Sequence, residues 1–364
     1  MAGRIVLFGA TGYTGRLTAA AMVARGDRPL LAARTREKVE AMAAELGALE
    51  SAVADVADPA SVRALLEPGD AIVATVGPFA RFGDPAVEAA IDAGASYIDS
   101  TGEPAFIRRV FEHYGPRAER AGAGLVTAFG YDWVPGNLAG ALALNEAGDA
   151  ATRIEIGYFT TGGGLGGMSG GTRASAAGAM TEPSFAWRQG IRTERPAKRV
   201  RSFLAAGKER QAISVGSSEH FTLPRIHPGL REVNVYLGWF GKGSRAMQGV
   251  AAVNAAITRL PGAKRGLDAL TARVSGSTGG PSESDRAGTG SVAVATAYDA
   301  SGAELATVEV RGPNGYDLTA ATLAWGGAHA AANGMLVSGA LGPAEAFGLE
   351  AFEAGCAEAG LTPV

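Results

Sequence analysis

The segment Gly9-Ala10-Thr11-Gly12-Tyr13-Thr14-Gly15 constrains the fold of this chain more than any other feature. It directly follows the apolar run 5–9 and precedes a helical pattern over residues 16–25. Glycine permits a tight turn at the first position, close approach of a pyrophosphate at the second, and close packing of helix and strand at the third. The N–H groups at the start of the helix then favour an anion. In this strand–turn–helix context the segment predicts dinucleotide binding, and the alternative is a tight turn with a structural role only.

Short apolar runs alternate with helical patterns from the first residues to about residue 130. Aspartate before proline marks two helix starts, at Asp58 and Asp84, and glycines follow the last periodic residues of several helices. Alternation of this kind predicts an α/β fold in which a doubly wound parallel sheet, a Rossmann domain, spans residues 1–130. The predicted strands are 5–9, 29–33, 51–55, 71–77, 96–99 and 125–129.

The pattern changes after about residue 145, where apolar and polar residues begin to alternate. Strands with one solvated face have this period, and Asp299-Ala300-Ser301-Gly302 joins two of them in a predicted hairpin. Helical patterns cover 245–260 and 318–337. We therefore expect a second, α+β domain over residues 131–339, built on a mostly antiparallel sheet and carrying the substrate. A C-terminal helix within 340–364 is expected to pack back on the first domain. The predicted strands are 153–160, 213–215, 232–240, 291–298 and 304–311.

Composition and charge narrow the classes of function. A formal net charge of −3 over 364 residues provides no field that would gather nucleic acid or an anionic membrane. No uninterrupted apolar stretch reaches the roughly 18 residues of a membrane span. The single cysteine, Cys356, excludes an intramolecular disulfide and favours the cytoplasm. The four histidines include no pair with metal-ligand spacing, so we predict no metal site. The oligomeric state stays open, with a homodimer as one option.

The end of the second predicted strand indicates which dinucleotide binds. Enzymes that use NAD usually carry an acidic residue there, which binds the ribose 2′-hydroxyl. This chain has Ala33-Arg34-Thr35-Arg36-Glu37-Lys38 instead. Arg34, with Thr35 and Lys38, is suited to bind a 2′-phosphate, whereas we expect Arg36 in solvent. The predicted cofactor is therefore NADP(H).

Three further strand ends lie on the same predicted edge of the sheet, where ligands bind in such folds. Asp55 is a candidate to accept a hydrogen bond from the adenine amine, and it is equally a candidate to cap the following turn. The backbone of Gly77-Pro78-Phe79 should border the nicotinamide ribose. Ser100-Thr101-Gly102 is expected beside the cofactor as well. Glu103 either holds a ribose hydroxyl or starts the helix at Pro104.

Several short motifs, each present once, are distributed over nearly the whole chain. They are the segment 9–15, Gly77-Pro78-Phe79 with Gly83, Tyr97-Ile98-Asp99-Ser100-Thr101-Gly102-Glu103, Gly130-Tyr131-Asp132-Trp133-Val134-Pro135, Ser169-Gly170-Gly171-Thr172, and Gly315-Tyr316 with Thr319-Ala320. Together they resemble the saccharopine dehydrogenase-like reductases, and within that group they are most similar to the trans-acting enoyl reductase branch. The resemblance implies a Rossmann domain, a following α/β domain whose sheet covers the nicotinamide, and hydride transfer to a C=C or C=N bond.

Reduction of a polarised double bond also needs a proton donor. Tyr131 and Asp132 follow the sixth predicted strand, so their backbone should reach the cleft between the domains. The Tyr131 hydroxyl is a candidate donor, and the alternative is a packing role in which the hydroxyl finds a backbone partner. Asp132 is either an acid or a cap for the helix that begins near Pro135.

Two segments allow a functional and a structural interpretation. The glycine-rich stretch 162–171 is either a lid over the cleft or a surface loop. The segment 188–210 carries eight basic residues against two acidic ones. A solvated surface is the default for such a segment, and the alternative is a dock for an acidic acyl carrier protein or for the phosphates of a carrier thioester. The basic residues are Arg188, Arg192, Arg195, Lys198, Arg199, Arg201, Lys208 and Arg210.

These observations and the resemblance lead to one expected function and two alternatives. We expect an NADPH-dependent reductase of a C=C or C=N bond in a small or carrier-linked, largely apolar substrate, in secondary metabolism. The first alternative is a saccharopine-type or imine amino-acid dehydrogenase, whose substrates carry several carboxylates and require convergent arginines. The second is a non-catalytic sensor that binds NADP(H) and transfers no hydride.

Overall fold

The computed structural model describes residues 3–162, 183–257 and 279–364, and the side chains of these residues except 254–257. The chain divides into two compact units. The first consists of Met1–Thr101, Phe106–Asp132 and Gly315–Ala359, and the second of Gly102–Ala105, Trp133–Asn314 and Gly360–Val364. The predicted lid, residues 162–171, lies outside the described residues except for Gly162.

A parallel sheet organises the first unit. Seven strands in the described residues have the order β15-β6-β5-β4-β1-β2-β3, and every pair of neighbours runs parallel. The central strand β4 is buried along its whole length, which is what an apolar strand covered on both faces requires. The strands are β1 (Ile5–Phe8), β2 (Leu30–Ala33), β3 (Ser51–Val53), β4 (Ala71–Ala74), β5 (Ser96–Asp99), β6 (Gly124–Val126) and β15 (Gly339–Ala340).

Helices connect these strands as the sequence predicts. Asp58 stands before α3 with a proline at its start, whereas the helix that was expected to begin after Asp84 already includes that residue. Gly94 ends α5 with a φ of +63°, a conformation that glycine adopts without strain. The helices are α1 (Tyr13–Ala24), α2 (Arg36–Glu45), α3 (Pro59–Arg63), α4 (Phe79–Phe82), α5 (Asp84–Ala93), α6 (Pro104–Arg109), which continues through a π-helical turn (Val110–Tyr114), and α7 (Gly115–Ala121).

The placement of the helix after residue 314 corrects the predicted domain boundary. This helix, α12 (Gly315–Asn333), was expected in the second domain, but it belongs to the first unit and packs on α1, β4 and β5. A Cβ at Gly327 would lie 2.8 Å from the Val73 side chain, so the helix backbone nearly touches the sheet. The helix is apolar around most of its circumference, and such a pattern predicts burial without specifying against which sheet. Two shorter helices of the first unit follow, α13 (Pro343–Phe347) and α14 (Leu349–Glu358).

A mixed, mostly antiparallel sheet organises the second unit. The order is β10-β11-β12-β7-β13-β14-β16, and β8 pairs with β12 and β9. Among the described pairings of this sheet only β12 with β7 is parallel. The predicted hairpin is present between β13 and β14. The strands are β7 (Arg153–Thr161), β8 (Ser184–Arg188), β9 (Ile191–Glu194), β10 (Val200–Ala205), β11 (Lys208–Ser214), β12 (Glu232–Leu237), β13 (Gly290–Tyr298), β14 (Glu304–Gly312) and β16 (Thr362–Pro363).

The second unit also contains helices, of which α8 covers strands β7, β13 and β14. They are α8 (Val134–Ala147), α9 (Glu219–Ile226), α10 (Ser244–Ile257) and α11 (Glu283–Ala287). The predicted fold class, a Rossmann-like parallel sheet followed by an α+β unit, is confirmed. Among the described residues, no helix is long and apolar enough to cross a membrane.

Candidate functional site

The glycine segment adopts the geometry that its three glycines require. Gly9 has a φ of +89°, and a Cβ there would lie 2.7 Å from the Val76 side chain. A Cβ at Gly15 would overlap the Gly9 carbonyl oxygen and lie 2.8 Å from the Ala10 oxygen, so α1 packs directly on the turn. The turn is closed by the Gly12 N–H, which donates to the Gly9 oxygen at 3.0 Å.

The N-terminus of α1 fits an anionic group. Its N-cap is Gly12, which has no side chain to cap the helix, and its first turn, which includes Thr14, contains no acidic residue. Among the described residues a Cβ at Gly12 would meet only the Gly9 oxygen, at 3.3 Å, so this part of the structure leaves room for a ligand at this position. Helix N-terminal N–H groups without capping partners, at the positive end of the macrodipole, favour a phosphate.

A residue that the sequence analysis missed, Thr75, ties this turn to the neighbouring strand. Its N–H donates to the Phe8 oxygen at 2.9 Å, and its hydroxyl lies 3.2 Å from the carbonyl oxygens of both Phe8 and Gly9. The signal that would have revealed it is a hydroxyl residue directly after the apolar strand β4, which pairs with β1.

The residues predicted to bind a 2′-phosphate follow β2 as expected. Arg34 is exposed, and within the described ranges it has neither a hydrogen bond nor an ion pair. Thr35 is the N-cap residue of α2, but its hydroxyl makes no capping hydrogen bond. Lys38 is exposed on the first turn of α2. Arg36, expected in solvent, is exposed and pairs with Glu40 at 3.4 Å. Arg34, Thr35 and Lys38 therefore present polar groups at one strand end.

The remaining predicted cofactor residues differ in their surroundings. The Asp55 carboxylate accepts a hydrogen bond from the Ala57 N–H at 2.9 Å, so it caps the local turn, and its adenine contact stays a prediction. The Gly77-Pro78 peptide is cis, and the Phe79 ring packs on Phe106 with centroids 5.7 Å apart. Two residues follow β5 in the first unit, namely Ser100, which is half-buried, and Thr101, which is buried. Gly102 is not among them, because it belongs to the second unit.

Asp99, the last residue of β5, is fully buried and accepts three hydrogen bonds. Its Oδ1 accepts from the Thr101 N–H at 2.8 Å and from the Ala128 N–H at 2.9 Å, and its Oδ2 accepts from the Thr127 hydroxyl at 2.7 Å. Burial nevertheless raises the pKa of this carboxyl to about 6, because desolvation outweighs the hydrogen bonds. The sequence motif that contains Asp99 does not by itself indicate these hydrogen bonds.

Three motifs that lie far apart in the sequence meet in the first unit. The Tyr131 N–H donates to the Thr319 hydroxyl at 2.9 Å, and that hydroxyl donates to the Gly315 oxygen at 2.7 Å. The Tyr316 ring stands edge-on to the Tyr13 ring of the glycine segment, with centroids 5.2 Å apart. The start of α12 therefore contacts both the glycine segment and the segment that carries the candidate proton donors.

Tyr131 and Asp132 have different environments. The Tyr131 ring is 8% exposed and packs against Gly315, where a Cβ would lie 3.1 Å from the ring. Asp132 Oδ1 is buried and has no hydrogen-bond partner in the described part of the chain. Burial alone raises the pKa of the Asp132 carboxyl to about 7. Its predicted capping role is wrong, because the N-cap of α8 is Trp133 and, among the described residues, the Tyr158 hydroxyl accepts an N–H bond from the first turn of that helix.

The start of α8 is held in the second unit by a buried pair instead. The Tyr158 hydroxyl accepts from the Gly136 N–H at 2.7 Å and donates to Glu219 at 2.6 Å. A Cβ at Gly136 would overlap both side chains, so this position requires glycine. The Trp133 ring packs edge-on against Tyr158 with centroids 5.1 Å apart. The carboxylate beside a helix N-terminus is favourable to the macrodipole.

Most of the basic side chains of segment 188–210 have partners within the second unit. Glu194 pairs with Arg199 at 2.7 Å and with Lys198 at 3.2 Å, and Arg201 pairs with Glu155. Glu194 is already counted in the charge of the segment, so of these pairs only Arg201–Glu155 reduces the basic surplus seen in the sequence. In the described ranges, no group of three or more His, Cys, Asp or Glu residues is placed to hold a metal ion.

The fold and the glycine loop define an NADP-binding Rossmann domain, and comparison with known proteins identifies its type. A family model described as the saccharopine dehydrogenase NADP binding domain matches residues 5–126. This part of the chain is therefore similar to saccharopine dehydrogenase NADP-binding domains, and the predicted cofactor, NADP(H), is confirmed.

Curated relatives extend the likeness beyond that domain. A protein of Mycobacterium tuberculosis that is named as a trans-acting enoyl reductase is 40% identical over 181 residues, which are 47% of this chain and 42% of the relative. A trans-acting enoyl reductase of Mycobacterium ulcerans is 39% identical over 140 residues, which are 37% of this chain and 34% of the relative. The matched part thus spans less than half the length of either relative.

A solved structure covers the whole fold. The apo saccharopine dehydrogenase (L-Glu forming) of Saccharomyces cerevisiae aligns with a TM-score of 0.59 at 14% identity, over 100% of this chain and 99% of that chain. At this identity the likeness concerns the fold. The predicted resemblance to saccharopine dehydrogenase-like and trans-acting enoyl reductases is confirmed, and the predicted enzyme class, an NADP-dependent oxidoreductase, agrees with the matched domain and these names.

Proposed function

We propose that the protein is an NADPH-dependent reductase that transfers hydride to the C=C bond of a small or carrier-linked, largely apolar substrate, in secondary metabolism. One observation carries this proposal. The first unit combines an anion-accepting glycine turn with Asp132, a carboxyl group whose pKa burial raises to about 7. A dinucleotide site needs only the turn, whereas a reductase also needs a group that can release a proton near neutral pH.

The residues proposed to hold the cofactor lie in the turns that follow the strands. Gly9, Thr11, Gly12, Tyr13, Thr14 and Gly15 would surround the pyrophosphate, with Gly12 allowing its approach. Arg34, Thr35 and Lys38 would bind the 2′-phosphate, and Asp55 the adenine amine. Gly77, Pro78, Phe79, Ser100, Thr101 and Gly102 would border the nicotinamide half. When bound, NADPH supplies the hydride.

Asp132 is the proposed proton donor. A carboxyl group with a pKa of about 7 is partly protonated at neutral pH, and a catalytic acid works best when its pKa lies near the operating pH. It would give its proton to the α carbon, where negative charge develops when hydride reaches the β carbon of an enoyl group. Tyr131, with its ring packed on Gly315 and its N–H bound to Thr319, would position Asp132.

The physical cause of the raised pKa of Asp132 favours an apolar substrate. Burial is the cause of the raised pKa of Asp132, and no charged side chain among the described residues contributes to it. A saccharopine-type substrate carries several carboxylates, which need arginines in the site, and an arginine beside Asp132 would lower this pKa. The names of the relatives support an enoyl group as the group that is reduced, in a substrate on which the enzyme acts in trans. The amino-acid dehydrogenase alternative is therefore less well supported.

Single-turnover oxidation of NADPH tests this function. The acceptors are crotonyl-pantetheine, as an enoyl thioester, and a cyclic imine. We expect Asp132→Asn to lower the rate with the enoyl thioester by roughly 10²–10⁴-fold, the usual contribution of a positioned acid. The wild-type rate should fall about tenfold per pH unit above pH 7, because the protonated carboxyl is the active form.

Tyr131→Phe is the matched control, because it removes a hydroxyl and keeps the ring on Gly315. We expect it to keep the wild-type rate within a few-fold. A large loss in Tyr131→Phe with an unaffected Asp132→Asn would transfer the acid role to Tyr131. A faster reaction with the imine would favour the dehydrogenase, and a wild type that oxidises NADPH with neither acceptor would favour the sensor.

A further inference from the structure

Asp99 is a buried carboxylate that the proposed reaction does not use. It is 0% exposed, yet it accepts hydrogen bonds from the Thr101 and Ala128 N–H groups and from the Thr127 hydroxyl. Its own carbonyl oxygen accepts from the Phe129 N–H at 2.7 Å. One residue at the end of β5 therefore binds the backbone of two separate segments, the turn at 100–101 and the segment 127–132.

The backbone of the second segment needs such a partner. Ala128 has a φ of +62°, in the left-handed region that alanine rarely adopts. The hydrogen bond from its N–H to Asp99 favours this conformation, and the segment then continues to Asp132. On its other side the segment is fixed by α12, through Thr319 on Tyr131 and through Thr322, whose hydroxyl lies 3.3 Å from the Phe129 oxygen.

A contribution to the stability of the fold does not explain why this buried position carries a carboxylate. Burial raises the pKa of Asp99 to about 6, so the ionised form at neutral pH is held against its desolvation penalty. The change of stability with pH follows from this shift. Because the pKa of Asp99 is higher in the folded than in the unfolded state, this group makes the fold less stable as the pH rises from about 4 to 6. An asparagine would avoid this penalty, because its oxygen can accept both N–H bonds and its amide can donate to Thr127.

We propose that Asp99 is a positioning residue, whose side chain holds segment 127–132 so that the Asp132 carboxyl stays in the place that proton transfer requires. This inference rests on the proposed function, since the rate effect needs a reaction. It also predicts a property of the resting protein that needs no reaction, namely slow hydrogen exchange of the Thr101 and Ala128 amides.

Asp99→Ala removes the oxygens that accept the three hydrogen bonds. Asp99→Asn keeps an oxygen that can accept both N–H bonds. We expect Asp99→Ala to lower the single-turnover rate about 10- to 100-fold, the loss that follows a displacement of about 1 Å. Amide exchange over 127–132 should rise at least tenfold, on the order of the loss of one such hydrogen bond, while exchange in β4 stays unchanged. Asp99→Asn should keep the rate within about threefold and should melt no lower than the wild type at pH 8.

Asp70→Ala is the matched control. Asp70 is a buried carboxylate of the same unit that also accepts two backbone N–H bonds, from Arg4 at 2.8 Å and from Glu67 at 3.0 Å, but it precedes β4. We expect this variant to lose stability without any change in exchange over 127–132 or in the rate per folded molecule. Equal effects of Asp70→Ala and Asp99→Ala on the rate would reduce Asp99 to a general contribution to stability and overturn the proposal.

Two further outcomes would also overturn it. If Asp99→Asn loses the rate as completely as Asp99→Ala, the charge of Asp99 takes part in the chemistry and positioning is not its role. If Asp99→Ala does not fold, amide exchange in the wild type is the test. Thr101 and Ala128 amides that exchange as fast as those of an exposed loop would exclude the tether, that is, the hydrogen bonds from these two amides to Asp99. A wild type without hydride transfer, but with both amides protected, would refute the proposed function and leave the tether intact.

Discussion

The second glycine of the turn offers a test of how the cofactor binds that does not depend on the reaction. Gly12 has a φ of −73° and a ψ of 170°, which any residue adopts, and an added Cβ would meet only the Gly9 oxygen, at 3.3 Å, in the part of the chain that the structure describes. Gly12→Ala should therefore fold, with a loss of stability below about 1 kcal/mol for a slightly tight contact at an N-cap. If the pyrophosphate approaches the backbone at Gly12, as proposed, the new methyl group would stand in its way.

The expected effect of Gly12→Ala on binding is much larger than its effect on stability. A charge-assisted hydrogen bond to a phosphate contributes about 1.5–3 kcal/mol, so loss of one such contact lowers NADPH affinity about 10- to 100-fold. Titration of NADPH fluorescence gives the affinity, and thermal unfolding of the same samples gives the stability. Gly12→Ala with wild-type NADPH affinity would refute the close approach of the pyrophosphate at this position.

Two other glycines serve as comparisons. A Cβ at Gly15 would overlap the Gly9 oxygen, so Gly15→Ala should displace the turn and lose about 1–3 kcal/mol of stability together with NADPH binding. Gly47 has a φ of +93° and open space around it, far from the turn in the sequence. Gly47→Ala should lose stability through backbone strain and keep NADPH affinity. The three variants thus separate a binding defect from a folding defect.

Two further predictions concern charge. Arg34→Ala should weaken NADPH binding about 10- to 100-fold and leave NADH binding unchanged, because the exposed guanidinium would pair with the 2′-phosphate; equal losses for both cofactors in parallel titrations would exclude that contact. If an acidic carrier docks on segment 188–210, reversal of the exposed Arg192 and Lys208 to glutamate should slow turnover of a carrier-bound substrate and not of its pantetheine analogue. Arg199 and Arg201 are unsuitable for this reversal, since both are in ion pairs, and identical rates with the two substrates would exclude the dock.

Local chemistry explains what the sequence alone could predict. The glycine segment, Arg34 after β2 and the hairpin at Asp299 each depend on residues close together in the chain, and all three lie where the patterns place them. The positions of β1 to β6 were also predictable, because apolar runs bounded by turn residues are typical of buried parallel strands, whereas β15 was not predicted.

Long-range packing explains what the sequence could not predict. Helix α12 is apolar around most of its circumference, so its pattern indicated burial without showing that β4 and β5 bury it. The raised pKa of Asp132 depends on its burial in the folded protein, and the pattern near Pro135 suggested a cap instead. The tether from Asp99 to Ala128 joins residues 29 positions apart and follows no local motif.

Hydride transfer from NADPH to a C=C bond can be followed with an isotope. The wild type is incubated with NADPH deuterated at the transferred position of nicotinamide C4 and with crotonyl-pantetheine, and the saturated product is analysed by mass spectrometry. We predict one deuterium on the β carbon, and a second on the α carbon when the reaction is run in D₂O, since the proton comes from an exchangeable acid. A product without cofactor-derived deuterium, or NADPH that stays unoxidised, would exclude hydride transfer from NADPH to the C=C bond.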